Sequence, residues 1–187
     1  MTVQFFDPVQ ESEEADHSLA PRLGTLDGKV LGIYNNNKLN AALIVEMIAE
    51  ELARDFHFSI RRGEYLAYTE MEEGAWGEAL NCDAVILANG DCGSCSSSGI
   101  ANAIDLERRG VPAFLVSTPP FLDVVRTMVK IKGMPQIRWG VVEHPLVSLK
   151  EDALRERARD AARQFREIIL SGQAERQSEP VAAAGAR

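Results

Sequence analysis

Two cysteines separated by two residues stand in the run Asp91-Cys92-Gly93-Ser94-Cys95-Ser96-Ser97-Ser98-Gly99. A thiolate is the nucleophilic form of cysteine, and a helix N-terminus or a nearby cation lowers a free thiol pKa from about 8.5 into the range of roughly 3.5 to 7.5. Cys92 is therefore the candidate nucleophile. Cys95 is spaced to resolve a mixed disulfide or a sulfenic acid formed on Cys92, because a C-x-x-C pair closes with little backbone movement. Lys38 and a protonated His144 are the candidate cations, and alkylation is expected to label Cys92 well below pH 8.5. In the enzyme reading His144 moves a proton, while Asn36, Lys38, Asn40, Ser94, Ser117 and Thr118 meet the substrate.

Other chemistries for the same residues stay open. A zinc site needs four protein ligands, or three plus water. Cys92, Cys95 and His144 supply three, with no second C-x-x-C and no paired histidines, so neither a metal nor another cofactor is expected. Gly90, Gly93 and the serine run could cradle a phosphate at a helix start, yet neither a Walker A motif nor G-x-G-x-x-G is present. Small residues in an inert turn are a further reading. So are two thiols acting as acid and base in a racemase or lyase, and one acting as the nucleophile of a hydrolase. A non-catalytic reading makes the chain a ligand-binding or partner subunit. Cys82 reads as a buried or edge thiol, and His57 as a strand-edge residue.

The elements that must position these residues follow from hydrophobic period. Apolar runs at 29–34, 84–88, 111–116 and 137–142, with a weaker one at 56–61, predict strands. Helical spacing over 41–56, 70–80, 97–109, 121–132 and 149–170 predicts the helices between and after them. Strand alternating with helix implies a single-domain, doubly wound, mostly parallel five-stranded sheet, a flavodoxin-like or Rossmann-like three-layer sandwich with order 2-1-3-4-5. Its strand ends bring the loops at 35–40, 91–99, 117–121 and 143–145 to one rim, where open α/β sheets bind ligands. The cysteine pair is placed in the βα turn after the third strand.

The chain has 187 residues, 45% of them hydrophobic, and a formal charge of -8. An acidic balance argues against a sequence-independent nucleic-acid binder, and no apolar run reaches the roughly 18 to 20 residues of a membrane helix. Three cysteines and no recognisable secretory leader point to a reducing cytoplasm. Residues 1–26 read as an acidic arm, with Phe5 and Phe6 available to pin it to the body or to a second subunit. Residues 27–170 read as the α/β domain and 171–187 as a disordered tail. The partners expected are a small-molecule substrate and an external thiol reductant, with homo-oligomerisation open.

The Gly90-Asp91-Cys92-Gly93-Ser94-Cys95 run, preceded by a strand and followed by small residues, resembles the UGSC-motif family, named for a selenocysteine-Gly-Ser-Cys signature that many members carry with cysteine first. Asn36, Lys38 and Asn40, the Ser-Thr-Pro-Pro-Phe turn and His144-Pro145 sit where the resemblance would place them, and it covers roughly Lys29 to Leu170. The family looks distantly similar to the selenoprotein B component of glycine and betaine reductases. That likeness puts Cys92 at the selenocysteine position and Cys95 at the resolving position, and implies reductive cleavage of a small activated substrate. Sulfur here is a less acidic and less reducing nucleophile than selenium.

Overall fold

A computed structural model describes residues 18–66 and 71–170. The acidic stretch Glu11 to Asp16, Phe5 and Phe6, Thr69 and Glu70, and the tail from 171 onward lie outside the described residues. In chain order the elements are β1 (Val30–Asn35), α1 (Ala41–Leu52), β2 (Ser59–Glu64), α2 (Glu73–Ala79), β3 (Ala84–Gly90) and α3 (Gly93–Arg108). There follow β4 (Ala113–Ser117), a 3-10 turn (Pro119–Phe121), α4 (Leu122–Lys132), β5 (Gly140–Val141), α5 (Glu151–Phe165) and a π-helical turn (Arg166–Leu170).

The five strands form one sheet in the order β2-β1-β3-β4-β5, and every neighbouring pair is parallel. The expected α/β class and strand order are therefore observed. β3 lies at the centre and is buried at every position, which is why it reads as an unbroken apolar run rather than an alternating one. Its side chains still divide with period two. Ala84, Ile86 and Ala88 enter a core with α1 and α5, whereas Val85 and Leu87 enter a second core with α2, α3 and α4. Strand β4 splits likewise, Phe114 and Val116 against Ala113 and Leu115. Of the apolar stripe that helical spacing gives the last helix, Leu154, Ala158, Ala161, Ala162, Phe165 and Ile169 are buried, and Ile168 is partly buried against them. Phe165 meets Phe114 edge to face at 5.5 Å between ring centroids, a contact worth about 0.5–1.5 kcal/mol beyond its area.

The edges depart from the expected boundaries. β2 begins three residues late, at Ser59, because an edge strand of polar composition takes its bounds from pairing with β1 and not from the apolar Phe56 and Phe58. β5 keeps only two residues. Its outer backbone groups are taken by the Gln164 amide, whose Oε1 accepts from Val141 N at 2.8 Å while Nε2 donates to Val141 O at 2.8 Å. That side chain closes the sheet edge where a longer strand would stand.

The arm read over residues 1–26 is bound at its described end. Ala20 N donates to the buried Glu107 at 2.8 Å, Arg22 pairs with the same carboxylate, and Leu23 N donates to Ile169 O at 2.9 Å. Leu26 is fully buried. A carboxylate at 107 inside α3 is tolerable because these donors and Ala113 N, at 2.9 Å, satisfy it.

Candidate active site at the cysteine turn

Strand β3 runs two residues past Ala88, to Gly90, which pairs with Ser117 after a register irregularity. Asp91 follows, and Cys92 then adopts an extended conformation (φ -155°, ψ 166°) as N-cap of α3. Cys95 N donates to Cys92 Sγ at 3.2 Å, so sulfur serves here as the capping acceptor. The two cysteines are joined as a disulfide across a Cα–Cα distance of 5.2 Å. Cys92 is half-buried, Cys95 is 1% exposed, and Ser94 Oγ is exposed at 3.6 Å from Cys92 Sγ.

This corrects one expectation. The helix begins at Gly93, not near Ser97, so Cys95 occupies its first turn and not a loop. Serine disfavours a helix interior, which hides the start in the sequence. Packing overrides propensity: Ser96, Gly99, Ile100 and Ala103 are buried. A Cβ on Gly99 would stand 2.6 Å from Leu115 Cδ1, so a hydrogen at this position lets α3 lie close against β4. The dipole of a helix that runs 16 residues is thereby aimed at Cys92, and it favours negative charge on that sulfur once the disulfide is reduced.

Asp91 ties the rim together. Its side chain has no solvent exposure. Oδ1 lies 2.8 Å from His144 Nδ1 and accepts from Thr118 Oγ1 at 3.0 Å. Oδ2 accepts from Leu146 N at 2.8 Å and Val147 N at 3.0 Å. Thr118 and the two amides offer hydrogens, as an acceptor-only carboxylate requires. His144 is 40% exposed at its side chain, and its ring meets Phe121 edge to face at 6.0 Å. The His144-Pro145 bond that starts the Leu146–Val147 segment is cis.

The other expected site residues are placed as follows. Asn36 is buried, receives no donor at Oδ1, and donates from Nδ2 to Asn89 O at 2.9 Å. Asn40, at positive φ before α1, caps nothing with its side chain and donates instead to Leu146 O at 2.8 Å and Leu149 O at 3.0 Å. Ser117 is buried and donates to Gly90 O at 3.4 Å. Thr118 is buried beside Asp91 and His144. Asn36, Asn40, Ser117 and Thr118 thus spend side-chain hydrogens on holding the loops. Ser94 and Lys38 present exposed groups, and Lys38 makes no ion pair among the described residues. The arrangement joins Thr118 to His144 through Asp91, and Asn40 to the loop that carries His144. Asp91 was missed by sequence reading, since one acid in a polar turn has no period; its place directly before the first cysteine was the available signal.

Among the described residues no three His, Cys, Asp or Glu side chains group as metal ligands, Cys92, Cys95 and His144 included. His57 is fully exposed beside Asp27. Cys82 is buried and free, and desolvation pushes its thiol pKa up. A groove of about 270 Å³ runs along β1, β2 and α1, lined by Ile33, Asn35, Val45, Glu46, Arg62 and Glu64. It holds neither cysteine, and its Arg62 is already committed to Glu46 at 2.5 and 2.9 Å. The reactive groups therefore mark the candidate site better than the volume does. No helix among the described residues is long and apolar enough to cross a membrane.

No curated protein matches the chain. A sequence model of the UGSC family matches residues 4–171, nearly the whole length. The chain belongs to the UGSC family.

Proposed function

We propose that the protein is a cysteine-dependent enzyme that reductively cleaves a small activated substrate and is reset by an external thiol reductant, in the reducing cytoplasm. In the reduced protein the Cys92 thiolate attacks the electrophilic atom of the substrate, forming a bond from sulfur to that atom and expelling the leaving group, which takes a proton. The Cys95 thiol loses its proton and attacks Cys92 Sγ. The disulfide forms, and the substrate fragment departs with the electron pair and is protonated. Two thiols are oxidised, one substrate bond is reduced, and a dithiol returns the enzyme to its starting state. His144 carries protons in these steps, and Ser94 and Lys38 are the exposed polar groups left to meet the substrate.

The observation that carries this reading is the asymmetry of the bonded pair: Cys92 is half-buried at the N-cap of α3, while Cys95 is buried within its first turn. That is the division of labour expected of an attacking and a resolving thiol. The test is adduct trapping with bis(2-hydroxyethyl) disulfide. Cys95→Ser is expected to accumulate a mixed disulfide on Cys92, detected by intact mass, and Cys92→Ser to accumulate none. Turnover of a substrate without any reductant, with no Cys92–Cys95 disulfide formed, would instead select lyase, racemase or hydrolase chemistry. Full function in Cys92→Ser would select a non-catalytic subunit.

A further inference from the structure

Asp91 is sealed from solvent, whereas its partner His144 is open at 40% of its side-chain surface. The carboxylate is therefore placed to act on the imidazole and not on a substrate. Its two oxygens have separate duties. Oδ2 serves the amides of Leu146 and Val147, and an asparagine amide oxygen would serve them as well. Oδ1 faces His144 Nδ1 and Thr118 Oγ1, and a second acceptor there is what only an acid provides. Holding the loops accounts for Oδ2 and for the bond from Thr118 to Oδ1, and leaves the contact of Oδ1 with the imidazole as the part that a structural role does not require. A buried carboxylate is costly to keep for a task an amide could do.

We propose that Asp91 is a positioning residue that holds His144 as the Nδ1–H tautomer, leaving Nε2 as the nitrogen that passes protons at the cysteine pair. This rests on the reading of Cys92 as the attacking thiol. Nε2 has no partner among the described residues. Asp91 is the charged group in contact with the ring; adjacent Glu143 is engaged by Arg157 at 2.5 Å, and Asp91 is one residue from Cys92. Which ring nitrogen carries the proton is set by the hydrogen bond the other makes. An amide in place of Asp91 would turn an N–H₂ toward Nδ1 and shift the neutral ring to Nε2–H, as carboxylate-to-amide replacement does beside a serine-protease histidine, with the geometry kept and the rate lost.

The test joins a spectroscopic and a kinetic readout on the full chain. In ¹⁵N–¹H correlation spectra above the ring's titration, wild type is expected to show the Nδ1–H pattern for His144, and Asp91→Asn the Nε2–H pattern. Two disulfide probes with dithiothreitol as reductant then separate roles. Bis(2-hydroxyethyl) disulfide releases a weakly acidic thiol and gains from an acid, while 5,5′-dithiobis(2-nitrobenzoate) releases a stable thiolate and does not. Asp91→Asn and His144→Gln are each expected to slow the first probe by about 10²-fold, the lower range for positioned proton transfer, and to leave the second within about threefold. The double variant is expected to be no slower than His144→Gln, because residues acting as one unit are non-additive.

An unchanged Nδ1–H pattern in folded Asp91→Asn would overturn the proposal. So would equal slowing with both probes, or a further loss in the double variant, either of which marks a structural role. Wild type reducing neither probe faster than Cys92→Ser would instead refute the proposed function, and the tautomer measurement would still decide the role of Asp91.

Discussion

Reducing the Cys92–Cys95 bond is the perturbation on which a redox role depends, because an enzyme that cycles through the disulfide must remain folded without it. The size of the effect follows from the ring that the bond closes. Cys92 and Cys95 are three positions apart, and the chain-entropy relation for so short a loop gives roughly 2 kcal/mol at 25 °C. A domain of this size has a stability of about 5–15 kcal/mol, so reduction leaves most of it in place. The cap bond from Cys95 N to Cys92 Sγ also strengthens when the sulfur becomes a thiolate, since charged acceptors bind N–H more tightly, and this offsets part of the loss. Urea unfolding followed by circular dichroism, with and without dithiothreitol, measures the difference. The expected result is one cooperative transition in both states, displaced by no more than about 2 kcal/mol. A loss above about 4 kcal/mol, or disappearance of the transition, would show that the bond is a structural staple beyond what its loop entropy allows, and the redox reading would fall with it.

Two further predictions concern the framework. Gly63 lies opposite Tyr34 in the β1–β2 register, and a Cβ there would stand 2.1 Å from Tyr34 Cε1 under a fully buried ring. Gly63→Ala is therefore expected to lose about 1–3 kcal/mol through overpacking, whereas Gly74→Ala in α2, with open space around it, gains up to about 1 kcal/mol; equal unfolding midpoints for the two would refute the packing argument. Burial, with a smaller push from Cys82, raises the Tyr34 hydroxyl to about 12. A raised folded-state value contributes stability that is complete below the ordinary 10.0 and is lost as pH climbs through about 12. Since that hydroxyl has no hydrogen-bond partner, Tyr34→Phe is expected to keep its neutral-pH stability and flatten the alkaline decline by up to one proton's slope; an unaltered decline would contradict the assignment.

The interior of the sheet was legible because burial on both faces writes itself as an uninterrupted apolar run, as in Ala84 to Ala88, and a two-residue period then divides it between two cores. The last helix was legible because its stripe keeps helical spacing from Leu154 to Phe165. What stayed hidden was decided by partners that no local pattern encodes. β2 takes its start from pairing with β1, β5 is cut short by Gln164, and α3 begins ahead of the serine run because small residues let it approach β4. The same holds at the rim. Cys92, Cys95, Thr118 and His144 were singled out by type and by the convergence of strand ends. Asp91 became visible only when its two oxygens were seen to reach residues 27 to 56 positions away. Asn40 gave the opposite lesson: expected on a substrate, it spends its amide on the carbonyls of Leu146 and Leu149.

The central claim is that Cys92 is an accessible, charge-stabilised thiolate once reduced. Timed alkylation of the reduced protein with iodoacetamide between pH 5 and 9, read peptide by peptide by mass spectrometry, tests it directly, and buried Cys82, whose thiol pKa is pushed up by desolvation, is the internal control. The account predicts that Cys92 is labelled well below the ordinary thiol value of about 8.5, and at least about tenfold faster than Cys82 at pH 7. Labelling of Cys92 that rises only near or above pH 8.5, or that is no faster than that of Cys82, would contradict it.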